Sequence, residues 1–600
     1  MPETKREQAS WYDPKQVWEE YQTGARYKSD LGAKGLYDQN RINERFYAGD
    51  QWHGAAVGSD RPLVRYNVIK RIGEYKQAVI AAGPVSVSFS AEGVPNTVDL
   101  QERVKQIREE MAKDPTAELE DLLQGGAEGD VPAAEEINIV MAAMSDYFRV
   151  TGERLQFNDK KDRVLKNAYT AGTGVLYTYW DPEIKTGLYA DEGRKTPIQG
   201  DIRCEVLDVE NVYFGDPTND ELQDQPFIIV AKRETLEEVR RQIRRNGGSE
   251  EEAEALTADS ETGYMAGELG AEGDRNGVEK VTVLTKFYKE WDGEGNGFRV
   301  MAVTVTEKAV LREPWDIGVR LYPFSAFLWE RRRNCAYGDS EVTYLIPNQI
   351  AINRMITASV WAVMMMGMPI MLVNRDVIAG DTVSNEPGQI IDVNGGDNDV
   401  AAAIRYVDPP NFSPDFSRNV EQMILQTLNQ SGANSAALGD VRPDNTSAII
   451  AVREAATMPL QMLQSRFYTF VEDTARIWAE FWLTQYGKRA LKVTEESGTW
   501  YMPFDGDRYK DLIVAARVEV GAGTLWSEAQ SIATLDNLFD RGVIDVVQYL
   551  QRLPRGTVPN LEGLIRALQE KGGEPEQEER PAPASAPDEP PQELLSRLPL

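Results

Sequence analysis

Apolar positions recur at helical spacing over the first 85 residues, at strand spacing between residues 174 and 335, and at helical spacing again beyond residue 340. A helix is expected to close at Gly49, because a glycine just past the last turn takes the left-handed cap conformation without strain. A second helix is expected over residues 68–82. After Pro84, Val85, Val87 and Phe89 alternate with serines and predict a strand. Helix returns near Ile137 and runs toward Tyr169, with a break expected at Gly152. Strands are expected over 175–180, 202–206 and 226–231, then as a meander over 281–291, 298–306 and 309–312. Thr235 and Glu238 have capping-box spacing, in which hydroxyl and carboxylate each satisfy a free backbone N–H, so a short helix should run through Ile243. Residues 109–136 and 247–277 are acidic, rich in small residues, and read as mobile insertions.

The most informative pattern lies between residues 337 and 446. Ile352, Ile356, Val360 and Val363 form one helical stripe; Phe416, Val420, Ile424 and Leu428 form another at four-residue spacing. The insert between them, 369–410, holds three short strand candidates, 369–373, 389–393 and 403–407, separated by turn signals such as Pro387-Gly388 and Gly395-Gly396. A segment of that size buries too little apolar surface to offset its own ordering entropy. The flanking helices are too apolar to stand in water as a lone hairpin. Both are expected to draw on identical neighbouring copies, with edge-strand addition the natural route. A head-to-tail contact that repeats closes into a ring or grows into a filament. The following loop, 432–445, carries Gly439, Asp440, Arg442, Pro443 and Asn445. In a ring it could project into the centre, where Arg442 would meet whatever passes; otherwise it is a surface connector with a solvated arginine. A third long helix is expected over 447–486, kinked at Pro459, which lacks the N–H and clashes with the preceding turn. Strands near 491–493 and 513–520, a helical module over 526–570 and a disordered Pro/Glu/Ala-rich tail complete an α+β chain.

The formal net charge of −31 argues against avid DNA binding, though a conduit in which DNA must slide gains from weak wall contacts. Cys204 and Cys335 are the two cysteines and have no CxxC spacing, so neither a disulfide framework nor a secreted chain is expected; the reading is cytosolic. His53 is the single histidine, which excludes His-rich metal sites and argues against a Ser-His-Asp triad. No Walker A motif occurs; the nearest Gly-rich run, Ala171 to Gly174, lacks the lysine and reads as a helix-to-strand turn. Asp208, Asp216 and Asp339 could be the carboxylates of a metal-dependent nuclease, but nothing fixes their spacing and solvated aspartates are the simpler reading. The run Arg331 to Arg333 suits either phosphates or salt bridges. Met364 to Met366 suits adaptable packing. The most membrane-like run, 362–373, is too short to span a bilayer. The first residues are charged, unlike a signal peptide. No cofactor or metal is expected.

Four local patterns, in order, resemble the portal (head–tail connector) proteins of tailed double-stranded DNA phages. They are Asn43 to Trp52 with Asn67-Val68-Ile69 and Pro84 to Val87; Gly338-Asp339-Ser340 with Gln349 to Asn353; Glu386 to Val393; and Gly439 to Ser447 leading into a long helix. The resemblance implies a structural, non-enzymatic ring of twelve subunits at one capsid vertex of the virion, assembled in the host cytoplasm, through which DNA is packaged and ejected. It implies a wing over 1–335, a stem over 336–367 and 412–432, a clip over 368–411, a tunnel loop over 433–446, a long wing helix with returning strands over 447–522, a crown over 523–570 and a tail over 571–600. Ile352, Ile356, Val360, Phe416, Val420 and Ile424 would belong to the stem. Pro387, Gly388, Ile390, Ile391 and Val393 would form the clip surface shared between subunits and offered to the motor. Gly439, Asp440, Arg442, Pro443 and Asn445 would face DNA. Implied partners are further copies of the chain, double-stranded DNA, the terminase large subunit, the major capsid protein, scaffold, and head-completion, adaptor and tail proteins, with no membrane. Another ring-forming head–tail adaptor, or a metal-dependent nuclease, is the alternative.

Overall fold

A computed structural model describes residues 12–52, 63–81, 85–92, 134–189, 197–246, 250–259, 279–292, 297–367, 371–374, 376, 378, 394, 404–406, 414–433, 458–495, 498–510, 512–520, 525–542, 544–553 and 564. Helices α1 (Pro14–Asp30), α2 (Leu36–Ala48) and α3 (Val68–Ala81) precede strand β1 (Val85–Ala91). Gly49 caps α2 at φ +96°, as its position predicts. Next come α4 (Ala134–Arg154) and α5 (Phe157–Ala171). The break between them falls at Leu155 and Gln156, not at Gly152. Gln156 takes φ +52° so that Phe157 can pack at once on Phe148 and Trp478, at centroid separations of 6.0 and 5.1 Å. The core, rather than the residue best suited to a turn, sets the break.

The strand-rich region contains β2 (Thr173–Tyr189), β3 (Pro197–Asp208), β4 (Val212–Phe214), β5 (Phe227–Thr235), α6 (Leu236–Arg245), α7 (Glu250–Ala255), β6 (Lys280–Asp292), β7 (Gly297–Val305), β8 (Val310–Asp316) and β9 (Phe324–Leu328). Thr235 caps α6 through the amide of Glu238, the hydroxyl half of the expected box, while the Glu238 carboxylate pairs with Arg241 at 2.8 Å. Helix α7 corrects the expectation of a featureless segment after residue 247. Ala253 and Leu256 are buried, and Arg240 donates to their carbonyls, satisfying groups that a helix end leaves open. Strands β4 to β8 form an antiparallel meander in sequence order, while β2 pairs with both β3 and β9 in a second sheet. Pleating sends Ile229 and Ala231 to one face of the meander and Ile228 and Val230 to the other. Helix α1 covers the first face with Val17, Trp18, Tyr21 and Ala25.

Two buried lysines pin α1. Lys286 pairs with Glu20 at 2.6 Å. Lys28 donates to the carbonyls of Val209 and Glu210 at 2.7 and 3.0 Å, with its ammonium 3.7 Å from the centre of the Tyr213 ring. Burial pushes the Lys28 amine well below its usual range.

The second half of the chain holds α8 (Glu341–Gly367), β10 (Met371–Val373), β11 (Ile404–Tyr406), α9 (Pro414–Gln430), α10 (Gln461–Gln485), β12 (Lys488–Glu495), β13 (Gly498–Asp505), α11 (Gly506–Tyr509), β14 (Val514–Val520), α12 (Leu525–Asp540) and α13 (Val546–Arg552). Pro459 stands in one turn of 3-10 helix, Met458–Leu460, directly ahead of α10. Helix α10 is the spine of the main core. Trp478 and Trp482 are fully buried, and Trp482 meets Tyr147 and Phe89 edge-on at 5.2 and 6.0 Å. Strand β14 pairs antiparallel with β1, bringing Val85 opposite Val520. Strand β13 was not expected from the sequence; it pairs with β12. The chain divides into two compact units, Met1–Thr494 with Thr499–Gly523, and Glu495–Gly498 with Thr524–Leu600. In the second, α12 and α13 meet through Phe539 and Tyr549, whose rings lie 5.1 Å apart.

Burial raises the Glu210 carboxyl to about 7, against opposing effects from Asn40 and Lys28. The folded value exceeds the unfolded one, so the folded state holds the proton longer and stability falls as pH rises from about 4.5 to about 7. Glu210→Gln removes that loss. The melting temperature of the variant relative to the parent is therefore expected to rise between pH 4.5 and pH 8; a flat difference across thermal melts refutes it.

Candidate functional site at the base of helix Glu341–Gly367

The sequence at residues 338–341 builds a rigid socket for the start of α8. Gly338 and Gly172 pack backbone to backbone. A Cβ on Gly172, itself at φ +82°, would sit 2.1 Å from the Gly338 carbonyl oxygen, so this helix-to-strand turn requires glycine. Gly338 donates to Thr173 Oγ1 at 2.9 Å. Asp339 accepts a two-pronged contact from Arg332. Ser340 Oγ donates to the Tyr169 carbonyl and accepts from the Val342 amide, capping the helix. Glu341 pairs with Lys76 at 2.6 Å and accepts from Trp329 Nε1 at 3.1 Å.

Above the socket, residues 63–68 lie along α8 as a strap that turns at Tyr66, where the Val68 amide donates back to the Tyr66 carbonyl at 3.0 Å. The Val64 amide donates to Thr357 Oγ1 at 3.2 Å, the Tyr66 amide to Asn353 Oδ1 at 3.0 Å, and the Val68 amide to Gln349 Oε1 at 2.9 Å. Acceptors four residues apart on a helix rise by about 6 Å. Donors two residues apart on an extended chain are separated by about 6.6 Å. The two spacings match for the Val64 and Tyr66 rungs; the third forms where the chain turns into α3, with the Val68 amide shared between Gln349 and the Tyr66 carbonyl. Gln349 and Asn353 are each 1% exposed and bond to one another at 3.0 Å. Gln349 Nε2 also donates to the Tyr66 carbonyl, and Asn353 Nδ2 to Gln51 Oε1, both at 2.6 Å. Lower down, Asn43 bonds to Thr343 and to the Thr170 carbonyl, and Asn67 to the Tyr47 carbonyl. The first two sequence patterns therefore meet here.

The expected stripe on α8 is buried unevenly. Ile352 is fully buried, Ile356 and Val360 are half-buried, and Val363 is 62% exposed. Helix α9 lies against α8. It buries Leu428, half-buries Val420 and Ile424, and leaves Leu425 48% exposed. The side chain of Phe416 lies outside the described residues, as do Pro387, Gly388, Ile390, Ile391 and Val393, and Gly439, Asp440, Arg442, Pro443 and Asn445. Strands β10 and β11 pair with each other, Met371 opposite Tyr406; the third strand candidate, 389–393, also lies outside.

The other sequence candidates separate. Asp208 bonds to Asn167 and burial pushes its carboxyl up, whereas hydrogen bonds from Thr218 hold Asp216 down. Asp339 is committed to Arg332. Among the described residues no group of three or more His, Cys, Asp or Glu side chains could hold a metal ion. Arg331 and Arg332 take the salt-bridge role, with Asp220 and Asp339. Cys204 and Cys335 are unpaired by disulfide, and burial raises the Cys204 thiol to about 11. No described helix is long and apolar enough to cross a membrane.

Residues 98–501, two thirds of the chain, match the model of one family, described as Phage SU10 portal protein. The chain belongs to the phage SU10 portal protein family. The match spans both strand-rich sheets, α8, β10, β11, α9 and α10. It leaves out the first sequence pattern, residues 43–87. No curated protein matches the chain. Membership makes this portal protein a structural component of a phage particle, consistent with the resemblance read from its sequence, and implies an oligomeric assembly of the phage head.

In the sequence, Gln349 and Asn353 stand within the second pattern with no role of their own. Their signal was two amides one turn apart beside the apolar stripe of Ile352 and Ile356, where uncharged polar groups need partners. Replacing Gln349 with leucine strands the amide of Ile69, at about 1–3 kcal/mol for a buried group left without a bond, and leaves the Val68 amide only its 3.0 Å bond to the Tyr66 carbonyl. The expected result is a loss of about 1–3 kcal/mol in denaturant melts, together with faster amide exchange at Ile69. Unchanged exchange there contradicts the ladder.

Proposed function

We propose that this portal protein forms a closed ring of identical subunits, twelve by family resemblance, that stands at one capsid vertex and passes double-stranded DNA during packaging and ejection. Family membership over residues 98–501 carries the reading. The helix–strand-pair–helix order of α8, β10, β11 and α9 supports it, and so does the burial gradient on α8. Val363, Met364 and Leu425 are 62%, 45% and 48% exposed in a single chain, and their cover in a ring is the neighbouring copy. In this reading residues 1–335 and 447–522 are wing, α8 and α9 are stem, 368–411 is clip, 433–446 is tunnel loop and 523–570 is crown.

The stem helices suit a conduit. Five ionisable residues, Glu341, Arg354, Asp415, Arg418 and Glu421, are spread over the two of them in a chain of net charge −31. Few charges of mixed sign give a wall that neither traps phosphates nor strongly repels them. Pro387, Gly388, Ile390, Ile391 and Val393 are the proposed clip surface for the terminase motor, then for head-completion and tail proteins. Major capsid protein and scaffold are proposed to meet the wing.

Native mass measurement and negative-stain images test the assembly. The expected result is a monodisperse ring with a central hole; a monomer that cleaves DNA in the presence of divalent cations overturns the reading. Arg442→Ala tests the tunnel loop. Rings should form as before while DNA retention or passage changes; loss of ring formation rejects a DNA-facing role for Arg442.

A further inference from the structure

The strap along α8 uses only half of its backbone. The amides of Val64, Tyr66 and Val68 and the carbonyls of Val64 and Tyr66 all have partners, on α8, on Trp52 or within the strap. An extended chain points successive backbone groups to opposite sides. Arg65, between two anchored residues, has no hydrogen bond from backbone or side chain among the described residues, and Leu63 beside it is 39% exposed. Up to Tyr66, where the chain turns, the strap is thus a short run of backbone bonded to a helix on its inner side, and on its outer side the Arg65 N–H and C=O have no partner among the described residues. Such an edge is a template for another extended chain.

A cavity continues from this edge. It measures about 170 Å³ and is lined by Tyr66, Asn67, Val68, Arg71, Ile424 and Leu428. A cavity of roughly 150 Å³ with aliphatic walls holds a benzene-sized group. Here Val68, Ile424 and Leu428 give aliphatic walls, and Tyr66, Asn67 and Arg71 complete the lining. Arg71 and Arg65 are both exposed and neither has an ion pair among the described residues, although acidic residues outnumber basic ones 96 to 65 in the chain.

We propose that the outer edge of residues 63–67 and the adjoining cavity form a docking site for an extended acidic peptide of a partner protein. The peptide adds as a strand to the Arg65 backbone, seats one aliphatic or aromatic side chain against Ile424 and Leu428, and places carboxylates on Arg65 and Arg71. The aliphatic cavity beside the open backbone favours a peptide over nucleic acid, which would use the arginines and leave the cavity empty.

The test uses the full chain and a fluorescein-labelled ten-residue peptide alternating glutamate with leucine, read by anisotropy. Binding is expected. The Arg65→Glu/Arg71→Glu double variant should weaken it at least tenfold, as should a peptide N-methylated at alternate residues, which cannot pair on one edge. Both arginines are exposed, so the variant should fold, and the N-methylated peptide tests the unaltered protein. Four results overturn the proposal: no binding; equal binding of a lysine–leucine peptide; equal binding of the N-methylated peptide; or displacement of the peptide by a short DNA duplex with equal loss in the double variant. Failure of the double variant to assemble with its own copies while the peptide stays bound identifies the face as a contact between subunits and also overturns it.

Discussion

The backbone of residues 64–68 must be satisfied where it runs against an apolar helix, and side chains of that helix take its three inward amides. Gln349, Asn353 and Thr357 supply the acceptors at intervals of one turn. One turn further on at either end stand Leu345 and Trp361, which carry no acceptor atom. The register between strap and helix is therefore unique. A slip by one rung would leave the Val68 amide facing leucine or the half-buried Val64 amide facing an indole edge, and so lose one of the three bonds to the helix. Since every rung is neutral, neither pH nor salt loosens the arrangement in the way either would loosen an ion pair.

That lock explains how α8 is gripped at one end and exposed at the other. Its first turns are held by the Gly172–Gly338 approach and the Ser340 cap, which rest on the end of α5, and by the Glu341–Lys76 pair, which rests on α3. Its middle is held by the ladder. Beyond Thr357 the helix has Val360 half-buried and Val363 largely bare. A helix with an anchored base and an apolar free end suits a neighbour that completes its burial, so the single chain stops short of a finished surface.

Much of this was legible in the sequence where one physical signal acted alone. Gly49, the Thr235 cap and strands β5 to β8 follow from local rules and lie close to where those rules put them, whereas β4 has no such signal. The departures share a cause. The break at Gln156 is set by Phe157 reaching Trp478, more than three hundred residues away in the chain. The partner of β1 is β14, with Val85 opposite Val520, and no local pattern connects them. Helix α7 looked like an acidic loop because the groups that hold it, Arg240 and the floor of Ala253 and Leu256, come from packing on α6. The same holds for the site. Four-residue spacing announced the stripe, but the work of Gln349 and Asn353 depends on a strap some 280 residues earlier, which the helix pattern does not encode.

The extent of the family match sharpens this point. It covers 98–501, so the acceptors Gln349, Asn353 and Thr357 fall inside it and their donors, Val64, Tyr66 and Val68, fall outside. A chain beginning at residue 98 would keep two fully buried amides on α8 and lose the backbone that satisfies them. It would also lose Lys76, the partner of Glu341, and α3, through whose Gly73 the backbone approaches the Tyr169 ring. The matched region is then not an independent folding body. The first 97 residues supply one side of its central helix, and the open outer edge of the strap is the surface that this arrangement leaves over.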